Sequence, residues 1–99
     1  MNAQLLDQAR AAYRAGDFST AAQLFSAAKA PNEPFGEADH LRGNSLMRLG
    51  LYADAAAAYA VALDDASYGK RGALLTNQGK ALAAAGDLAA AAASFREAV

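Results

Sequence analysis

The sequence predicts an all-α fold: an α-solenoid of three stacked antiparallel helix-turn-helix hairpins. The first sign is composition. The 99 residues include 30 alanines and 12 leucines but no isoleucine and two valines. Strong helix formers therefore dominate, and the β-branched apolar residues that favour sheet are nearly absent. The second sign is internal repetition. Gly16-Asp17-Phe18 is followed by Ala21, Phe25 and Ala28; Gly50-Leu51-Tyr52 by Ala55, Tyr59 and Ala62; Gly86-Asp87-Leu88 by Ala91, Phe95 and Ala98. The blocks start 34 and then 36 residues apart, a period typical of helical repeat arrays.

Each block reads as the turn and second helix of a hairpin. A first helix is expected over 2–15, ended by Gly16, where positive φ costs glycine little. Asp17 suits the cap of a second helix over 18–29. Ala30-Pro31-Asn32-Glu33-Pro34 then breaks the chain, because two prolines disfavour helix. The second unit repeats the plan over 36–49 and 52–64, except that Leu51 has no side-chain oxygen to cap with. Asp64 to Gly69 forms the next connector and takes up the two extra residues of the longer period. The third unit is expected over 71–85 and 88–98, with Asp87 as cap. Ala9, Gly43 and Gly79 sit seven residues before each turn glycine, where a small residue lets the two helices of a unit approach. Phe18, Tyr52 and Leu88, with Phe25, Tyr59 and Phe95, supply the bulk between units, since positions seven apart share one helix face. One hairpin cannot bury that face alone, so the units must stack.

This spacing of small residue, glycine, aromatic and alanine resembles the tetratricopeptide repeat family over essentially the whole chain. Departures fall at Leu5, Asp39 and Leu75, where the family favours a tryptophan-like residue, at Ala12, where it favours a large one, and at Glu33, where it favours proline. The resemblance implies one domain over 1–99, with repeats at about 2–35, 36–71 and 72–99, forming a right-handed superhelix. It also implies that the first helices line a concave groove for a peptide or partner helix. On that pattern the groove residues are Leu6, Arg10, Tyr13, Arg14, His40, Asn44, Met47, Arg48, Asn77 and Lys80. Arg10, Arg14, Arg48 and Lys80 make the groove basic, against Asp7 and Glu37, and arginine suits bidentate carboxylate binding. Tyr13 and Met47 offer apolar contact, and Asn44 and Asn77 can fix a peptide backbone. Family members that hold the acidic tail of heat-shock chaperones use Lys, Asn, Asn, Lys and Arg. The matching positions here are Leu6, Arg10, Leu41, Ala73 and Asn77, so that role is not expected.

Other functions find less support. A formal net charge of −1 gives no global pull towards nucleic acid or anionic membrane. With no cysteine and one histidine, neither a disulfide scaffold nor a zinc site is expected, and no cofactor is implied. His40 has no second histidine, so no catalytic set emerges from the serines. Gly69-Lys70-Arg71-Gly72 lacks the phosphate-loop spacing and reads as a helix-start connector. Asp64-Asp65 reads as a solvated helix end, and Glu33, Glu37 and Asp39 as connector and first-turn charges. No export signal is read at the start, so the cytoplasm is the expected compartment. No apolar run reaches the ~18 residues that span a membrane. The expected function is a non-catalytic scaffold that binds a protein or peptide. The alternative is an assembly module. The last unit ends in Ser94-Phe95-Arg96-Glu97-Ala98-Val99 with no helix over its outer face. The chain is then the N-terminal part of a longer array, or that edge packs on another copy.

Overall fold

The three turn glycines hold positive φ: +79° at Gly16, +76° at Gly50 and +93° at Gly86. In the computed structural model, which describes residues 1–30 and 33–99, each closes its turn with the same two bonds. The N–H of Gly16 donates to Tyr13 O and that of Asp17 to Ala12 O. Gly50 and Leu51 bond Met47 and Leu46 in the same way, and Gly86 and Asp87 bond Ala83 and Leu82. These pairs satisfy carbonyls that a helix end leaves open.

The described residues form six helices and no strand. These are α1 (Ala3–Arg14), α2 (Phe18–Ala27), α3 (Gly36–Arg48), α4 (Tyr52–Leu63), α5 (Arg71–Ala84) and α6 (Leu88–Ala98). Every end falls within two residues of its expected position, because the expected ranges included the capping residues. Asp17 and Asp87 cap α2 and α6 by accepting the N–H of Thr20 and Ala90, while Leu51 makes no side-chain cap. Pro31 and Asn32, part of the expected break, lie outside the described residues. Each helix packs on the next in sequence, and α1 also touches α3, so the first helices stand side by side. This is the α-solenoid expected from the repeat.

The core depends on rings pressed against small residues. A Cβ placed on Gly43 would lie 2.6 Å from the Tyr59 ring, and one on Gly79 would lie 2.6 Å from the Phe95 ring. Phe25 and Tyr59 are fully buried, each walled by alanines. The third copies differ. Phe95 is 38% exposed and Leu88 69% exposed, because no described helix covers the outer face of α6. Their expected role as bulk between units is therefore not met here, and Tyr52, 37% exposed, does not meet it either.

Asp39 corrects a second expectation. It is not a solvated first-turn charge but is 0% exposed. Lys29 Nζ donates to both its carboxylate oxygens at 3.0 Å, the Phe35 N–H donates at 3.2 Å, and Arg42 approaches at 3.4 Å. Asp39 thus ties the end of α2 to the start of α3, where Phe35 gives no side-chain cap. Asp65 is corrected likewise. Its Oδ2 accepts the Gly36 N–H at 2.8 Å, and Oδ1 accepts from Ser67. The Ser67 bond first, then the Gly36 bond, hold its carboxyl below the usual range.

Two stability outcomes are expected. Gly43→Leu should cost about 1–3 kcal/mol or more in urea denaturation, since the Tyr59 ring is enclosed and cannot yield. Gly79→Leu should cost less, because half-open Phe95 can turn aside. Equal costs would mean that enclosure of the ring is not what matters. For the buried pair, Lys29→Met should cost about 3–5 kcal/mol, as it leaves the buried carboxylate with only the longer Arg42 contact and the Phe35 N–H. Adding Asp39→Leu to Lys29→Met should restore much of that loss, and a double variant no more stable than Lys29→Met alone would refute the pairing.

Candidate functional site

The face made by α1, α3 and α5 carries most of the residues expected in the groove, and polar side chains link its helices laterally. Arg10 on α1 donates Nε and Nη2 to the two oxygens of Glu37 on α3, at 2.7 and 2.6 Å, and Nη1 to Asp7 at 3.1 Å. This fork holds the Glu37 carboxyl below its ordinary value, against partial burial. The Arg10 guanidinium is therefore already matched with acid.

A second link runs through amide and phenol groups. The Tyr59 hydroxyl donates to Asn44 Oδ1 at 2.6 Å, and Asn44 Nδ2 donates to the Tyr13 oxygen at 3.3 Å. Burial, helped by nearby Tyr13, pushes the Tyr59 phenol up to about 12, so it remains a donor at any physiological pH. Sequence reasoning placed Tyr59 in the core alone. The signal for its second role was present: the matching positions hold Phe25 and Phe95, so only the second unit carries a hydroxyl there.

The third link centres on His40. Asn77 Nδ2 on α5 donates to His40 Nε2 at 3.3 Å, which leaves the ring proton on Nδ1 to donate to the Tyr68 oxygen at 2.9 Å. The rings of Tyr59 and Tyr68 meet His40 edge to face. Burial first, then the charge of Lys70, hold this imidazole below its ordinary value of 6.5. Burial, with Glu37 adding, raises the Tyr68 phenol. Tyr68 was not anticipated, because it lies in the α4–α5 connector.

The remaining groove expectations divide. Leu6 is corrected: at 4% exposed it sits in the core with Ala9, Phe25 and Ala38, in the seam between units, and presents no surface to a ligand. Met47 is half-buried against the second core. Arg14, Arg48 and Lys80 are exposed and make no ion pair among the described residues. Arg48 lies over the Phe18 ring, its Cζ 5.2 Å from the ring centroid. Tyr13 meets the same ring edge to face at 5.7 Å. Lys70 begins α5 without a side-chain cap, and Arg71 pairs with Glu97 at 3.2 Å. No group of three or more His, Asp or Glu side chains among the described residues is placed to hold a metal ion. No described helix is long and apolar enough to cross a membrane.

The family model for the tetratricopeptide repeat matches residues 6–70 and again residues 40–99, so two overlapping matches run through all three hairpins. No curated protein matches the chain.

The buried imidazole gives this face a pH signature. Its folded-state value is depressed, so the unfolded chain takes up its proton first as pH falls. The stability contributed by neutral His40 should be complete above the ordinary imidazole value and decline below it, before the carboxylates titrate. An NMR titration of the His40 ring should show a midpoint below 6.5. A midpoint at or above the ordinary value would mean that the ring is solvated.

Proposed function

This chain belongs to the tetratricopeptide repeat family, whose repeats generally mediate protein–protein interaction, and from that premise we propose that the α1–α3–α5 face is a groove for a peptide segment or partner helix. The observation that carries this reading is the lateral polar network itself. Arg10–Glu37, Tyr13–Asn44–Tyr59 and His40–Asn77 hold side chains of three helices in fixed positions before any ligand arrives. Ligand contact then orders fewer rotamers, which lowers the entropic cost of binding. The exposed cations Arg14, Arg48 and Lys80 favour an acidic partner. The role is non-catalytic, in keeping with the family's typical use as an interaction scaffold, and neither nucleic acid nor membrane is part of it.

A second reading is assembly through α6. Ala92 and Phe95 are exposed where the matching Ala56 and Tyr59 are buried. Leu88 extends the same apolar face, which a further helix or another copy would cover.

One experiment separates the readings. Peptides selected on the immobilised chain from a random library should shift backbone amide signals on α1, α3 and α5 in NMR titrations. Shifts confined to α2, α4 and α6 would exclude the groove. Dilution of the peptide-free chain should leave the Leu88 and Phe95 signals unchanged if α6 is not a contact between copies, and should move them if it is.

A further inference from the structure

We propose that the cleft between the C-terminal ends of α1 and α3, formed by Tyr13, Arg14, Phe18 and Arg48, is a subsite that reads an acidic side chain next to an apolar one on the bound peptide. It deepens the groove reading and rests on it. The cleft, of about 470 Å³, is also lined by Ala15 and Gly16.

Charge singles this cleft out. Arg10 is matched by Glu37 and Asp7, whereas Arg14 and Arg48 both stand here without an acidic partner among the described residues. Asp17, the acid nearest Arg14 in sequence, caps α2 through Oδ1 and pairs with neither arginine. Arginine in the last turn of a helix complements the macrodipole, and both residues lie there. That does not consume them. Each helix end supplies only roughly half a negative charge, less than one guanidinium carries. The glycine turns bond the carbonyls of Ala12 and Tyr13 at one end and of Leu46 and Met47 at the other, and Arg48 lies over Phe18 of the preceding unit.

The geometry is suited to a carboxylate. The cation–π contact with Phe18 holds the Arg48 guanidinium beside the cleft and leaves its N–H donors available for bidentate bonding. The Tyr13 oxygen accepts from Asn44, while its own hydrogen has no acceptor among the described residues. Tyr13 itself lines the cleft. Phe18 and Tyr13 meet edge to face and give an apolar wall for a neighbouring peptide side chain. The cleft opens on the surface, so the peptide can continue past it. We therefore assign the carboxylate to an internal Asp or Glu. The next register of the repeat lacks the arrangement: Met47, Arg48, Tyr52 and Ala84 replace Tyr13, Arg14, Phe18 and Arg48, leaving one guanidinium in place of two.

The test uses the full chain and three probes followed by NMR titration: acetyl-Ala-Ala-Phe-Glu-Ala-Ala-amide, its Gln-for-Glu counterpart, and that Gln peptide with a free C-terminal carboxylate. The Glu peptide should bind about tenfold more tightly than the Gln amide, the scale of a charge-assisted bond. That preference should disappear in Arg14→Ala and in Arg48→Ala, shrink in Arg48→Lys, and survive in Arg96→Ala, which removes a charge on α6. Circular dichroism checks that each variant is folded. Glu and Gln amides binding alike, or no probe binding at all, overturns the subsite. A free-carboxylate peptide binding as well as the Glu peptide overturns the assignment to an internal side chain. Library-selected peptides that still map to α1, α3 and α5 but ignore both arginine changes overturn the subsite while leaving the scaffold, so the two failures are distinct.

Discussion

The approach of a ring to a residue with little or no side chain is the constraint on which the rest of the structure depends. With 30 alanines among 99 residues, helix formation is well supported, but each alanine buries little area. Cohesion falls to a few large side chains, above all Phe25 and Tyr59, both sealed among alanines. Gly43 lets Tyr59 lie close against the opposing helix. That contact sets the spacing of the second hairpin and carries the Tyr59 hydroxyl through to the α1–α3–α5 face, where it orients Asn44. One packing contact thus fixes both a core distance and a polar group on the surface.

How much was legible in the sequence follows from the range of each interaction. The helices, the three glycine turns and the two aspartate caps were legible because they depend on residues within a few positions of one another. The family was legible because the packing rule recurs at near-constant period. Leu6 was misplaced because angular steps along one helix locate its faces but not the seam where a neighbouring unit arrives. Asp39 looked like an ordinary first-turn acid because its main partner, Lys29, lies ten residues back across the connector. The roles of Asp65 and Tyr68 were not legible either, since their partners Gly36 and His40 are 29 and 28 residues away.

On the candidate face, the expected residues separate into two kinds once their neighbours are known. Arg10, Asn44, His40 and Asn77 are engaged with one another's helices and act as framework. Arg14, Arg48 and Lys80 are exposed and free of acids among the described residues. Residue type alone could not make that division, because an arginine spent on Glu37 and one facing solvent look identical in a sequence. Such sorting leaves the free basic groups at the ends of α1 and α3 and at Lys80 on α5.

The bond from Asp65 to the Gly36 N–H has a consequence for how the chain divides into modules. The start of α3 is held on one side by Asp39 and Lys29, from the preceding hairpin, and on the other by a connector that follows α4. The segment that satisfies α3 therefore runs from Lys29 to Tyr68: it begins inside the first repeat and ends inside the second. The period written in the amino acids and the set of bonds that holds α3 are therefore offset at the N-terminal border of the second repeat. A second hairpin excised or transplanted at its repeat borders would leave Lys29 behind, and one cut directly after α4 would lose Asp65 as well. Recombination within such an array would preserve order only when the exchanged piece carries its flanking connectors.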